Sequence, residues 1–316
     1  MKIVILDRNT VTNGDVSFAE IEALGEVTYF DVLLPEELVN AIGDAEVVIC
    51  NKAYLDREII EACPRLRYIG LFATGYNNID TECAKERGIV VCNVPGYSTE
   101  AVAQLTFSMI LALSGSFCDY TNSTRAGGWI KSQTFSYFPF PLRELKGKTL
   151  GIFGYGSIGR QVAKIARAFN MEVITCTRTP SKVENAEVVS RDELFMRSDF
   201  LSLHAPLTPE TTKMINSETL AMMKPTAYLI NTSRGGAIDE EALADALNNG
   251  RIAGAGLDVL SVEPMLPDNP LRTAKNCLIT PHIAWAPVET RIRLITMVAE
   301  NIRAFAENSP INVVNK

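Results

Sequence analysis

The stretch that decides the fold runs from Leu150 to Arg160, LGIFGYGSIGR. Leu150, Ile152 and Phe153 flank Gly151 and lead into G-x-G-x-x-G at Gly154, Gly156 and Gly159, a pattern that predicts a buried strand turning sharply into a helix. Each glycine has its own task. Gly154 permits the tight turn, Gly156 lets backbone N–H groups approach a pyrophosphate, and Gly159 lets helix and strand close up. The helix N-terminus adds unpaired N–H groups and the positive end of its dipole. Glycine-rich turns are common, so context matters: Val162 to Phe169 continues at helical spacing and Met171 to Cys176 reads as the next strand. A dinucleotide site is therefore expected at Gly154, Tyr155, Gly156, Ser157 and Ile158.

The second strand ends Cys176-Thr177-Arg178-Thr179. An NAD site would place Asp or Glu there, about 20 residues beyond the glycines, to accept from the ribose hydroxyls. The nearest acids, Glu172 and Glu184, lie at the start of the strand and beyond Pro180. A carboxylate would repel a 2′-phosphate, whereas Arg178 can pair with one through a charge-assisted fork. NADP(H) is thus expected over NAD(H), with Thr177, Arg178, Thr179 and Lys182 around the phosphate. NAD(H) is the alternative if Arg178 is only a solvated loop cation.

Outward from this motif, 316 residues suggest about two domains. A net charge of −7 and a pI near 5.1 speak against a nucleic-acid surface. The opening MKIVILD reads as a strand, leaving no room for a signal peptide. The longest apolar run, AVAQLTFSMILAL from Ala101, is interrupted by Gln104, Thr106 and Ser108 and reads as a buried helix rather than a membrane span. Seven cysteines without a C-x-x-C pair read as reduced thiols of a cytoplasmic protein, and no metal site is expected.

From Met1 to about Ser98 the runs IVIL, VTYF, EVVIC, YIGLF and IVVCN alternate with FAEIEAL, PEELVNAI, REIIEAC and DTECAKER. That alternation predicts an α/β, doubly wound parallel sheet, here without a glycine fingerprint. A helix from Ala101 to about Phe117 and a loop rich in glycine and aromatics (Gly127, Gly128, Trp129, Phe135, Tyr137, Phe138 and Phe140) lead to the glycine motif. A second alternating unit follows, with strands at 150–153, 172–176, 187–190, 199–203, 227–231, 254–259 and 277–280, and a helix from Pro287 to Phe305. Ligands of such sheets sit at the carboxyl ends of the strands, so a cleft between the two sheets is the expected site.

Three strand ends there carry polar residues: INTSRGG (Ile230 to Gly236) with Arg234, GLDVLSVEP (Gly256 to Pro264) with Asp258 and Glu263, and ITPHIAW (Ile279 to Trp285) with His282. These are the groups that reduction of a 2-oxo acid demands. A guanidinium fork can bind and polarise the substrate oxygens, an imidazole can protonate the developing alkoxide, and a carboxylate beside it fixes the ring. A histidine after a strand is more often structural, and the chain has only two, His204 and His282. The joint occurrence of the three groups favours chemistry.

The sequence resembles the D-isomer-specific 2-hydroxyacid dehydrogenases, and within them the glycerate dehydrogenase and hydroxypyruvate or glyoxylate reductase branch. The likeness runs nearly end to end and rests on ATGYNNID (Ala73 to Asp80), NVPGYSTEAVAQ (Asn93 to Gln104), ELKGKTLGIFGYGSIGR (Glu144 to Arg160), LHAPLT (Leu203 to Thr208) and the three strand-end stretches. It implies that Arg234, Glu263 and His282 are catalytic, and that Thr74 and Gly75 hold the substrate carboxylate through their N–H groups. It also implies that Asp258 accepts from the nicotinamide carboxamide, with His204, Ala205, Pro206, Thr211 and Thr232 lining the cofactor. The implied domains are 1–98 with 287–316, a flavodoxin-like substrate domain, and 99–286, a Rossmann domain for NAD(P). The implied assembly is a homodimer that uses the helix from Ala101.

Substrate choice stays open at this level. Lys52, in ICNKAYLD, favours a polar, hydroxymethyl-bearing 2-keto or 2-hydroxy acid, while the aromatics from Trp129 to Phe140 and Trp285 would suit an aryl pyruvate or merely pack a core. Phosphoglycerate dehydrogenase, formate dehydrogenase and a corepressor-like NAD(H)-sensing protein are the rivals. A carboxylate beside the histidine speaks against the second, and the lack of a C-terminal regulatory extension against the first.

Overall fold

In the computed structural model, which describes all 316 residues, the chain divides into two compact units, Met1–Ser98 with Trp285–Lys316 and Thr99–Ala284. The first unit carries strands β1 (Lys2–Ile5), β2 (Glu26–Tyr29), β3 (Val47–Cys50), β4 (Tyr68–Leu71) and β5 (Val90–Cys92), joined through helices α1 (Ala19–Glu22), α2 (Leu38–Ile42), α3 (Arg57–Ala62) and α4 (Thr81–Glu86). All pairs are parallel, in the order β2-β1-β3-β4-β5. The strands read as near-continuous apolar runs because both faces are covered. Ile3, Ile5, Val47 and Ile49 face one side with Tyr68 and Phe72, while Val4, Leu6, Val48 and Cys50 face the other with Ile69 and Leu71. Asp56 and Asp80 cap α3 and α4 by accepting from the N–H groups of Ile59 and Cys83.

The second unit opens with α5 (Thr99–Ser114) and α6 (Phe117–Arg125). It continues with β6 (Thr149–Phe153), α7 (Ser157–Ala168), β7 (Glu172–Cys176), β8 (Glu187–Val188), α8 (Arg191–Arg197), β9 (Phe200–Leu203), α9 (Ser217–Met222), β10 (Tyr228–Asn231), α10 (Glu240–Asn248), β11 (Gly254–Leu257) and β12 (Cys277–Ile279). Its seven parallel strands are ordered β12-β11-β10-β9-β6-β7-β8. The last helix, α11 (Val288–Ala306), packs Leu294, Ile295, Val298, Ala299 and Ile302 onto the first unit's sheet. Both sheets are of the doubly wound α/β type that the alternation predicts. Each has a point where the strand order reverses, β1/β3 in one and β6/β9 in the other, and there the outgoing loops diverge.

One local expectation needs correction. The helix expected to reach Phe117 stops at Ser114, because Ser116 takes a left-handed φ of 45°, and α6 then forms in a stretch to which no element had been assigned. No residue of α6 is buried, so its sequence FCDYTNSTR carries no apolar stripe to announce a helix. The aromatics divide: Trp129, Phe135 and Phe138 are 51%, 90% and 75% exposed, whereas Phe140 packs edge-on to Tyr120 and Trp285 packs against the first unit's core. No single helix is long and apolar enough to cross a membrane.

Gly159 sits where a Cβ would run into the carbonyl oxygen of Gly154 and crowd Ile152. Gly159→Ala should therefore cost about 1–3 kcal/mol of unfolding free energy, the range for overpacking a tight contact. Denaturant unfolding checks this, and an unchanged midpoint would contradict it.

Candidate active site

The glycine turn brings the two loops of the β6/β9 switch point together. Gly154 has φ +91°, and a Cβ there would lie 2.8 Å from the His204 carbonyl oxygen. Gly156 behaves differently: its backbone is extended, and a Cβ would meet nothing within 4 Å. No side chain caps α7, so the first N–H groups of a twelve-residue helix open onto that space. Shape and donors both fit a dinucleotide's pyrophosphate. Ser157 is the first residue of α7, and Ile158 is half-buried against the core. The Tyr155 ring is buried and its hydroxyl donates to the Glu184 carbonyl at 2.9 Å, so only its backbone faces the turn. That bond ties down the segment following β7.

Thr177, Arg178 and Thr179 leave β7, and Lys182 ends a short 3-10 turn from Pro180. The Thr177 hydroxyl accepts from the Thr179 N–H at 3.4 Å, while Arg178 and Thr179 are exposed. A hydrogen bond from Thr208 and the charge of Arg178 hold the Glu210 carboxyl below its usual range, which places a carboxylate within reach of the guanidinium's field. After β9, His204 donates its N–H to Phe153 at 2.8 Å and pairs Nε2 with the Ser202 hydroxyl at 2.8 Å. Its Nδ1 is buried without a partner, and burial pushes the imidazole down to about 3. Ala205 and Pro206 follow, and the Thr211 hydroxyl donates to the Pro206 carbonyl at 2.9 Å, shaping that loop.

Past β10, Asn231 arranges the turn that carries Arg234. Its Oδ1 accepts from the Ser233 N–H at 3.0 Å and hydroxyl at 2.8 Å, and its Nδ2 donates to the Arg234 carbonyl at 2.9 Å. Thr232 shares a hydrogen bond of 3.1 Å with Thr106 of α5. The Arg234 side chain is exposed and donates to the Ser233 carbonyl at 2.7 Å. Gly235 lies so close to the Leu260 backbone that any Cβ would collide with it. Leu260 in turn donates its N–H to Glu263 Oε1 at 3.0 Å, and Glu263 Oε2 is 2.7 Å from His282 Nδ1. Glu240 braces the segment by accepting from the Ser261 N–H at 2.6 Å and from Asn269 at 2.7 Å.

His282 has a left-handed φ of 55°, uncommon for a residue with a side chain. Asp258, 1% exposed, holds it there. Its Oδ1 accepts from the Thr280 hydroxyl at 2.6 Å and the Ile283 N–H at 2.9 Å, its Oδ2 from the Ala284 N–H at 2.8 Å, and its carbonyl from the His282 N–H at 2.8 Å. Asp258 was expected to face a carboxamide; its carboxylate is already engaged by its own chain at three places. Arg234, Glu263 and His282 thus belong to one braced assembly within the second unit.

In the first unit, the Thr74 hydroxyl donates to the Val94 carbonyl and its own carbonyl accepts from Asn93 Nδ2, both at 2.7 Å, so the backbone leading to Gly75 is fixed. Lys52 is exposed on the turn after β3. That turn is held by Asp7 and Asn78, two residues absent from the expected set. An aspartate closing the run MKIVILD was the available signal, but its partners are 44 to 46 residues away. No group of three or more His, Cys, Asp or Glu converges as a metal site would require.

A glycine turn open to a pyrophosphate, in the same unit and sheet as a histidine–carboxylate pair and an exposed arginine, defines a nucleotide-dependent oxidoreductase. Residues 107–284 match the family model for the D-isomer specific 2-hydroxyacid dehydrogenase NAD binding domain. The chain is 44% identical to hydroxypyruvate reductase of Blautia hydrogenotrophica over the full length of both, and 38% identical to glycerate dehydrogenase of Methylorubrum extorquens over 99% of this chain and 98% of that one. It also superposes on the NADPH-dependent glyoxylate/hydroxypyruvate reductase of Sinorhizobium meliloti with a TM-score of 0.85 and 30% identity, covering 99% and 97% of the chains. The chain belongs to the D-isomer-specific 2-hydroxyacid dehydrogenases.

The burial of His204 has a measurable consequence. Because His204 folds with its pKa depressed from about 6.5 to about 3, the unfolded chain takes up that proton first. Its stabilising contribution is complete above about pH 6.5 and is lost as the pH falls towards about 3. Ring ¹⁵N NMR should show His204 neutral between roughly pH 8 and pH 5, the range in which an ordinary imidazole titrates. Protonation of His204 in that interval would contradict the burial argument.

Proposed function

We propose that this chain transfers a hydride between a nicotinamide dinucleotide and a small 2-oxo acid, reducing hydroxypyruvate or glyoxylate to the D-2-hydroxy acid in the manner of a D-glycerate dehydrogenase. The observation that carries the reading is the 2.7 Å pair of His282 Nδ1 and Glu263 Oε2, braced to the Arg234 turn, in a chain whose full-length relative is named hydroxypyruvate reductase.

When bound at the glycine turn, the reduced nicotinamide supplies the hydride. The chain's own residues do the rest. With Nδ1–H donated to Glu263, His282 keeps Nε2 for the substrate oxygen and delivers the proton as C2 is reduced; in the oxidative direction the neutral ring takes it back. Arg234 binds and polarises the oxygens of the oxo acid, and the N–H groups of Thr74 and Gly75 hold its carboxylate. Gly156, Ser157 and Ile158 cradle the pyrophosphate, with His204 to Pro206, Thr211 and Thr232 along the cofactor. Asp258, with both carboxylate oxygens already engaged, serves the carboxamide only through a remaining lone pair.

NADP(H) is the preferred carrier in this reading. Exposed Arg178, the lack of an acid at the end of β7, and NADPH dependence in the Sinorhizobium relative support it. A homodimer fits as well, since Trp129, Ile130, Phe135 and Phe138 form an exposed apolar stretch of the sort that subunit contacts cover.

Replacing His282 by Ala should lower kcat for hydroxypyruvate reduction about 10²- to 10⁴-fold. Arg234→Lys should lose about 10²-fold, because an ammonium cannot reproduce the fork. Steady-state rates followed by dihydropyridine absorbance measure both, and near-normal turnover of His282→Ala would overturn the assignment. For the carrier, kcat/KM with NADPH should exceed that with NADH, and Arg178→Ala should erase the difference. A wild-type preference for NADH would refute the role of Arg178.

A further inference from the structure

At the β1/β3 switch point of the first unit, Asp7 is 3% exposed, yet no arginine or lysine forms a salt bridge with it. Instead its carboxylate takes the backbone N–H groups of three successive residues: Asn51 at 2.9 and 3.0 Å to the two oxygens, Lys52 at 2.5 Å and Ala53 at 2.8 Å. Desolvation raises the Asp7 pKa, and these N–H bonds, with the charge of Lys52, oppose the rise. Burying a carboxylate is costly, so the turn it organises is held for a reason other than packing. The opposite side of that turn is held too. Asn78 Nδ2 donates to the Ala53 carbonyl at 2.8 Å, and Asn51 Nδ2 donates to the Thr10 hydroxyl at 3.0 Å. Leu55 and Asn78 are joined by a further backbone bond of 2.9 Å, which fastens the Lys52 turn to the loop that begins at Thr74 and Gly75.

We propose that Asp7 is a positioning residue for substrate selection: by fixing the Asn51–Ala53 turn it sets Lys52 to read the C3 substituent of the oxo acid, selecting hydroxypyruvate, with its hydroxymethyl group, over glyoxylate, which has none. The inference rests on the oxo-acid reductase reading above. The chemistry is that of a donor held in place. An ammonium on a rigid turn donates to a hydroxyl oxygen at little further entropic cost, whereas the same ammonium on a loose turn must be ordered at each binding event. A switch point is also where open α/β sheets bind ligands, and here it is spanned by a single side chain.

The test is the ratio of kcat/KM for hydroxypyruvate to that for glyoxylate in the full-length enzyme. Lys52→Met should lower this ratio about ten- to a hundredfold, the worth of a hydrogen bond to a charged group, with the loss entering through KM. Asp7→Asn should lower it in the same sense through KM, since a carboxamide presents one acceptor where the turn offers three donors, and Asp7→Asn/Lys52→Met should discriminate no worse than Lys52→Met alone. Asp7→Glu, which keeps the charge, should recover part of the ratio. Should Asp7→Asn not fold, Asn78→Ala, which frees the Ala53 carbonyl but leaves Asp7, reads the same quantity. An unchanged ratio in Lys52→Met, or a fall in kcat alike for both acids in Asp7→Asn, overturns the inference while leaving the reductase reading intact. Failure of the wild type to reduce either acid overturns the reading itself.

Discussion

The second unit depends on one buried carboxylate that holds a backbone segment in a conformation it would not keep alone. His282 sits at φ 55°, a region that costs a non-glycine residue about 1–2 kcal/mol, and Asp258 offsets that cost with bonds to Thr280, Ile283 and Ala284 and through its own carbonyl. The conformation turns the imidazole back towards the segment that carries Glu263. Without the clasp the dyad would have to be assembled from two loops 19 residues apart in sequence. Gly235 lies against the backbone of Leu260, whose N–H donates to Glu263, so the position of the arginine turn is tied to that of the carboxylate.

The same device recurs in the first unit, where Asp7 gathers three N–H groups at the end of β1. In both cases an aspartate just beyond a central strand organises the loop leaving a neighbouring strand. The physics is shared: parallel sheets deliver loops to their carboxyl ends with unpaired N–H groups, and a buried carboxylate satisfies several at once. The glycine turn meets the same need differently. There the N–H groups of α7 are left unpaired by the protein, and Gly156 keeps the space in front of them open.

What the sequence made legible follows from how local each signal is. The strand, turn and helix from Thr149 to Ala168 could be read because the glycines, the apolar run and the helical spacing lie within twenty residues. The second strand, Glu172–Cys176, was read with its full bounds for the same reason. Arg234, Glu263 and His282 could be named as strand-end polar residues, but the brace joining them passes through the backbone of Leu260 and through Asn231, which carry no compositional mark. Asp258 and Asp7 were harder still, since their partners lie 22 to 46 residues further on and a buried aspartate looks like any other in the sequence. The helix Phe117–Arg125 escaped because none of its residues is fully buried, and what holds it, Tyr120 against Phe140 and Ser123 against Tyr137, lies 14 to 20 residues further on.

The central claim is that Asp258 holds the His282 turn in place. Amide hydrogen exchange at Ile283 and Ala284, compared between the wild type and Asp258→Ala with β10 as an internal control, tests it most directly. The account predicts strong protection at both amides in the wild type and near-complete loss in the variant while β10 stays protected. Equal protection in the two proteins would mean that the turn holds itself, and would contradict the account.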